Sequence, residues 1–336
     1  MKFHNYLKSL QLKRCMVYNL HNMNSERPQF NTNRVGVIDI GTLKTKFVIA
    51  EFDKDQNRKI LVRERKITNL GQGLNKENRL ISPDAVLTQH EVLNEMIKKM
   101  EELHVDAYNV IGTEALRKAD NAETVITMIN EAVRQDLQIL GQEEEAMLFF
   151  NVVSRSMPNE NLAVADIGGG SVQLAIGRNG NLQRLELLNT GTLTLQKGMV
   201  ESDIVSPTED QASWEYVHDA IAKLNLIPIG EAHLVYGSTN ILDFFREAGI
   251  GKDIYPDDDY HPRRANIQEL VDLYYQIIQH PRNQRSHFFP SDPYFMWGAD
   301  KGIINIASLC DSLKIDEVIP TNLNVSDGLL FKLAGN

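Results

Sequence analysis

Cysteine is nearly absent. Cys15 and Cys310 are the only two in 336 residues, too few for a thiolate zinc site and a thin disulfide framework for so long a chain. A reducing, cytoplasmic setting is the expectation. Long apolar runs are also missing, and no stretch approaches the ~20 residues of a membrane span. Neither the Gly-x-Ser-x-Gly elbow of serine hydrolases nor the Walker loop of P-loop nucleotidases occurs. Positive charge is in deficit, with Lys plus Arg 35 against Asp plus Glu 45 and a net of −10. That balance argues against a dedicated nucleic-acid binder and makes any anion site depend on local charge. Neither nucleic acid nor membrane is an expected partner. What is present, 42% hydrophobic and 24% charged residues, is ordinary globular composition. At roughly 100–200 residues per domain, the length predicts two domains.

Residues 1–34 differ from the rest. Lys2, Lys8, Lys13, Arg14, Arg27 and Arg34 stand against the single acid Glu26. No uninterrupted apolar segment follows, so a secretory signal is excluded, whereas an organelle transit peptide stays open. The preferred reading is a disordered extension, or an upstream start with Met23 as the true first residue.

From residue 35 the pattern is regular. RVGVIDIG and TKFVIAEFD are strands joined through Gly41, and KILVRERKI is a third. Ser82-Pro83 opens a helix whose Val86, Leu87, Val92, Leu93, Met96, Ile97 and Met100 predict one buried face. YNVIGTEALRK reads as strand, turn and short helix; LQILGQEEEAMLFFNVV turns through Gly141 from strand into helix. The pattern then restarts with NLAVADIGGG, VQLAIGRNG and LQRLELLNTG, with Asn179-Gly180 as a hairpin turn. Ser206-Pro207-Thr208-Glu209 is a capping-box helix start, and HLVYGSTNILDFF repeats the strand–turn–helix unit. Asp39 and Asp166 lie 127 positions apart, Gly112 and Gly237 125 apart. Two motif pairs at near-equal spacing indicate an internal duplication, which predicts both glycine turns at one central cleft. DIYPDDDYHPRRA has loop composition, and its three aspartates are expected to be solvated. The domains expected are an N-terminal one over 35–140 and a C-terminal one over 141–324, with a last helix over 325–336 packing on the first.

Asp166-Ile167-Gly168-Gly169-Gly170-Ser171 places three glycines between two strands. Backbone N–H groups approach a phosphate closely in such a turn, Ser171 adds a hydroxyl donor, and Asp166 is a candidate ligand for a divalent cation. Asp39, Gly41, Thr42, Lys44 and Thr45 form the matching turn. Glu143, Glu144 and Glu145 exceed what helix capping requires, and water attack on phosphorus needs a carboxylate to orient or deprotonate the water. Arg117 is a candidate to neutralise charge on a transferred phosphoryl group, although from the residues alone an ordinary surface arginine is the preferred reading. Lys44, Lys46, Arg117 and Lys197 are the candidate local cations for a polyanion. His218-Asp219 has no second pair at metal-site spacing, so a metal role is set aside.

GTEALRKADN, GQEEEA and DIGGGS, in that order and followed by LNTGTLTLQKG, LVYGSTN and VSDGLLFKL, resemble the exopolyphosphatase / guanosine pentaphosphate phosphatase (Ppx/GppA) family in its short two-domain form. The resemblance implies an α/β fold of duplicated ribonuclease-H-like domains, of the actin-like ATPase superfamily, with an interdomain cleft. It implies a hydrolase that releases terminal phosphate from polyphosphate, or the 5′-γ-phosphate of pppGpp, with Mg²⁺ as cofactor, and a homodimer. Glu145 falls on the catalytic glutamate, Glu144 on its neighbour and Arg117 on the family arginine. Asp39 to Thr42 and Asp166 with Gly168, Gly169, Gly170 and Ser171 fall on the two phosphate loops, Asp166 and Glu145 on the metal ligands, and Gly237, Ser238 and Thr239 on a further phosphate turn. Three places depart from the pattern: Leu43-Lys44, Ser238, and Ser326-Asp327 where an Arg-Glu pair is usual. The first alone is closer to actin-like ATP-binding proteins, and the last is compatible with a non-catalytic (p)ppGpp-binding regulator. Longer relatives carry a further HD-type domain beyond this point.

Overall fold

The computed structural model describes residues 33–55, 57–71, 74, 78–199, 202–229, 232–237 and 240–335. The N-terminal extension with Met23, the pair Ser238 and Thr239, and the Lys197 side chain lie outside the described residues. The chain divides into two compact units. One runs to Ile139 and takes the chain end from Lys332; the other is Leu140–Phe331.

In the first unit β1 (Asn33–Ile40), β2 (Lys44–Phe52) and β3 (Arg58–Ile67) form an antiparallel meander. Helix α1 (Pro83–Glu102) then leads to β4 (Ala107–Gly112), parallel to β1. After α2 (Glu114–Lys118) and α3 (Ala122–Val133), the short β5 (Gln138–Ile139) completes the order β3-β2-β1-β4-β5. Strand β1 is buried at six successive positions from Val35, as a central strand covered on both faces requires. Ser82 caps α1 by accepting the Ala85 N–H, with Pro83 in the first turn.

The predicted face of α1 needs one correction. Leu87 is 38% exposed, because the 100° step from Val86 carries it off the stripe. Gln89 takes the buried position instead. It is fully buried, and its Oε1 accepts the Thr45 hydroxyl at 2.8 Å while Thr68 Oγ1 lies 3.2 Å from the same hydroxyl.

The second unit comprises α4 (Gln142–Ser156), β6 (Asn161–Ile167), β7 (Val172–Arg178), β8 (Asn181–Leu188), α5 (Thr192–Met199), α6 (Pro207–Ala222), β9 (His233–Gly237), α7 (Ile241–Glu247), β10 (Lys252–Asp253), β11 (Arg263–Asn266), α8 (Ile267–Ile278), α9 (Ala299–Leu313), β12 (Glu317–Thr321) and α10 (Val325–Leu333). Its sheet runs β8-β7-β6-β9-β12-β11-β10. The first five strands repeat the order and sense of the first unit, so the duplication read from the spacing is a duplication of topology. Asn179 and Gly180 both have positive φ at the β7–β8 hairpin, as an Asn-Gly turn requires. The glycine pair is not strictly equivalent: Gly112 stands opposite Ile40, whereas Gly237 stands opposite Asp166, one ladder position earlier.

Two further differences concern unit 2. The proline-rich stretch is loop only over 254–262, since Asp253 and Arg263 pair between β10 and β11. Helix α10 packs, up to Phe331, within the second unit. The Leu148 carbonyl would lie 2.6 Å from a Cβ at Gly328, and the Arg155 guanidinium stacks 4.8 Å from the Phe331 ring centroid. Among the described residues no helix is long and apolar enough to cross a membrane.

The same loop carries a pH-sensitive contact. His261 is fully buried, with Nε2 2.7 Å from the Ser156 hydroxyl. Burial pushes its pKa down to about 4, against the opposing pull of Asp258 and with help from Arg264. The unfolded chain takes up a proton below about pH 6.5, where the folded protein does not. This residue therefore costs no stability above that pH. Stability is expected to fall by about 1.4 kcal/mol per unit as pH drops from there to about 4. Urea unfolding of His261→Gln against the parent across pH 4–8 should show that part of the slope removed.

Candidate functional site

In the second unit the chain leaves β6 at Ile167, turns through Gly168–Ser171 and enters β7. Gly168 N–H closes the turn on the Ser171 carbonyl at 3.0 Å. The start of α5 then occupies the loop's carbonyls. Thr192 N–H donates to Gly168 O (3.0 Å), Leu193 N–H to Gly169 O (2.8 Å), and the Thr194 hydroxyl to Gly170 O (2.9 Å). With the carbonyls held on one side, the N–H groups of Gly169, Gly170 and Ser171 have no backbone acceptor among the described residues. That is the polarity of an anion-binding nest.

Gly191 makes this contact possible. A Cβ there would lie 2.3 Å from Ser171 N, 2.4 Å from the Gly170 carbonyl carbon and 2.5 Å from Gly169 O, all of them backbone atoms. The preceding Thr190 is pinned from behind, for its hydroxyl donates to Asn305 Oδ1 at 2.6 Å and its carbonyl accepts Asn305 Nδ2 at 2.8 Å, with both residues buried. Gly191→Ala is expected to displace the loop by about 1 Å and to cost roughly 10²-fold in any phosphate-directed activity. Steady-state kinetics of the variant check this, with melting temperature as the control for global unfolding.

The acids lie in the same unit. Gly141 precedes α4, whose first turn carries Glu143, Glu144 and Glu145. Glu145 N–H donates to Gly141 O at 3.0 Å, and no side chain caps this helix start. Glu143 is exposed, while Glu144 and Glu145 are half-buried. Three carboxylates at a helix N-terminus are favoured there by the helix dipole. Asp166, half-buried near the end of β6, stands opposite Gln173 on β7 and Gly237 on β9. Its charge reaches the neighbouring strand: burial first, and Asp166 second, raise the pKa of the Tyr236 phenol. A Cβ at Gly237 would meet the Phe149 ring at 2.2 Å, so the space left by this glycine seats the helix that carries the acids. Two glutamines connect acids and loop. Gln142 Nε2 donates to Ser171 Oγ at 2.8 Å and Gln173 Nε2 at 3.1 Å.

The first unit holds the other candidates. Asp39 is 5% exposed and ion-paired with Lys46 at 3.3 Å across the β1–β2 ladder. Gly41 N–H closes on Lys44 O at 3.1 Å, Thr42 O accepts Gly71 N–H at 2.8 Å, and Leu43 O accepts Thr68 and Asn69 N–H. Thr42 and Lys44 are half-buried at the turn. Thr45 is not presented there, because its hydroxyl is committed to Gln89 inside the core. Thr113 N–H donates to Ile40 O at 3.2 Å and so ties the start of α2 to the end of β1, with half-buried Arg117 one turn later.

Ser326 and Asp327 are buried, and Asp327 Oδ2 accepts Asn324 N–H at 3.0 Å. An acid at that position caps the start of α10. Gln142, Gln173, Gly191, Thr194 and Asn305 are the neighbours of the loop that sequence reading did not single out. The Thr-Gly-Thr at 190–192 is the available signal, a glycine shortly past a strand and between two hydroxyls.

Comparison with known proteins extends this description. A bifunctional 3-dehydroquinate synthase/phosphatase from Fusobacterium nucleatum is 24% identical over 70% of this chain and 37% of its own length. A guanosine-5′-triphosphate,3′-diphosphate pyrophosphatase from Aeromonas salmonicida is 23% identical over 91% of this chain and 60% of its own. The chain thus spans less than two thirds of either relative. Among solved structures, an exopolyphosphatase from Cytophaga hutchinsonii superimposes with a TM-score of 0.80 at 19% identity, covering 90% of this chain and 98% of that one. This likeness shows the fold, the duplicated ribonuclease-H-like α/β arrangement that the two sheets display. The family model described as the Ppx/GppA phosphatase family matches residues 48–336, and the chain belongs to that family.

Proposed function

We propose that this protein is a phosphoanhydride hydrolase that releases terminal phosphate from inorganic polyphosphate, or the 5′-γ-phosphate of pppGpp, by water attack. The observation that carries the reading is the Gly168–Ser171 loop, whose carbonyls are occupied by 192–194 while its next three N–H groups and the Ser171 hydroxyl remain as donors. It stands in one unit with Glu144, Glu145 and Asp166. The names of relatives, one a guanosine-5′-triphosphate,3′-diphosphate pyrophosphatase and one an exopolyphosphatase, agree with a phosphoanhydride substrate.

In this reading Glu145 takes the proton of the attacking water and Glu144 assists it. The N–H groups of Gly169 to Ser171 hold phosphoryl oxygens as charge develops on them. Asp39, Gly41, Thr42 and Lys44, with Arg117, are the first unit's own candidates for phosphate contacts. The fit of Mg²⁺ rests on the donor set. Asp166 and Glu145 offer oxygen only, and among the described residues no group of three or more His, Cys, Asp or Glu forms a cage. An ion held by one or two carboxylates plus substrate phosphates is the habit of Mg²⁺. When bound, it would neutralise phosphate oxygens as a Lewis acid. A cytoplasmic location and a homodimer belong to the same proposal.

Phosphate release with Mg²⁺ from long-chain polyphosphate, tripolyphosphate, pppGpp and ATP tests the reading. Release from polyphosphate or pppGpp is expected. Release from none of the four would overturn it.

A further inference from the structure

A serine hydroxyl has one proton to give and two lone pairs to receive. Both lone pairs of Ser171 are taken. Gln142 Nε2 donates from the first turn of α4 at 2.8 Å, and Gln173 Nε2 donates from β7 at 3.1 Å. The remaining proton must therefore be donated, and no acceptor among the described residues takes it. Beside it are the N–H groups of Gly169, Gly170 and Ser171, whose carbonyl sides are already engaged. The loop thus presents donors alone.

We infer that Gln142 and Gln173 are positioning residues that commit the Ser171 hydroxyl to donate to a phosphoryl oxygen. This deepens the proposed function and rests on it. Gln142 directly precedes Glu143, Glu144 and Glu145, so one side chain fixes the acid-bearing helix and the phosphate loop in a single register. Gln173, 6% exposed and directly across the ladder from Asp166, does the same from the strand side. The residue type matters at 142, the one position in the run Gln-Glu-Glu-Glu that is not an acid. A carboxylate there would accept the Ser171 proton and withdraw it from the substrate. An amide supplies a proton to Ser171 instead.

This gives Gln142→Glu a signature that a packing role would lack. When ionised, the introduced carboxylate competes for the Ser171 proton; when protonated, it can donate as the glutamine does. The charged groups on the elements around it are Glu143, Glu144 and Glu145 on its own helix, Asp166 on β6, Arg178 on β7, and Arg184 and Glu186 on β8. At its ordinary pKa of about 4.3 a glutamate changes protonation state between pH 8 and pH 4.

The test is calorimetric binding of tripolyphosphate, in the Glu145→Gln background so that turnover does not intervene. Gln142→Glu should weaken binding by about tenfold at pH 8, the worth of a charge-assisted hydrogen bond. The ratio to the background should shrink below about threefold at pH 4. Ser171→Ala should lose about tenfold at both pH values, and in that protein Gln142→Glu should add less than about twofold. A pH-independent loss, or additive losses in the double variant, would overturn the inference, as would absence of tripolyphosphate binding by the background protein. The expected pattern together with no phosphate release by the parent from any of the four substrates would leave the positioning role standing and remove the hydrolase.

Discussion

Glu145→Gln is expected to lower kcat by about 10²–10⁴-fold, the contribution of a positioned general base, with substrate affinity changed little. The substitution keeps the volume and hydrogen-bonding reach of the side chain and removes its capacity to take a proton. Glu145 is the natural candidate because it is half-buried in the first turn of α4, the helix that Phe149 seats on Gly237 and that Gln142 ties to Ser171. Glu143 is exposed, and Glu143→Gln should leave kcat within about twofold, since exposed substitutions away from the reacting groups are nearly neutral. Comparing kcat and KM for the two variants separates loss of the base from a general loss of helix-terminal charge. Full activity in Glu145→Gln would take that residue out of the mechanism.

The largest effect on stability is expected at Asp300. Asp300 is 2% exposed at the start of α9, its carboxylate between Lys301 Nζ at 3.0 Å and Arg285 Nη1 at 3.2 Å, both on residues 1% exposed. Its other oxygen accepts Lys301 N–H at 2.9 Å, and Arg285 Nε is satisfied by the His280 carbonyl. Asp300→Ala leaves two cations buried with no carboxylate between them. Breaking a buried pair in this way costs about 3–5 kcal/mol, much more than the pair itself contributes. At roughly 2–4 °C per kcal/mol for a unit of this size, the calorimetric melting temperature should drop by about 10 °C. A drop under about 2 °C would show that water reaches the cluster and solvates both cations.

Much of this protein is legible in its sequence, for physical reasons that vary along the chain. The meanders were readable because β-branched runs alternate with glycine turns, and the helix starts because Ser82-Pro83 and Ser206-Pro207-Thr208-Glu209 are local chemical signals. The duplication was readable because Asp39 and Asp166 keep their spacing in the chain. Tertiary partnerships were not readable. Thr45 sits in a motif that reads as phosphate binding, yet its hydroxyl is fixed by Gln89, forty-four positions away. Gly237 reads as a loop glycine, yet its missing Cβ makes room for Phe149. Lys46 reads as a cation for a polyanion, and it is paired with Asp39. For Thr45 and Gly237 the group that uses the residue lies far away in the chain, and for Lys46 it lies on the neighbouring strand. The clamp on the phosphate loop shows the same limit, since Asn305 reaches Thr190 from 115 positions downstream.

In the proposed reading a water molecule attacks a terminal phosphorus atom, and hydrolysis in ¹⁸O-labelled water reads that step itself. With tripolyphosphate or pppGpp and Mg²⁺, the account expects the released orthophosphate to carry one labelled oxygen, with none in the shortened product. Label in the shortened product would place the attack on the inner phosphorus. Absence of released phosphate would contradict the hydrolase.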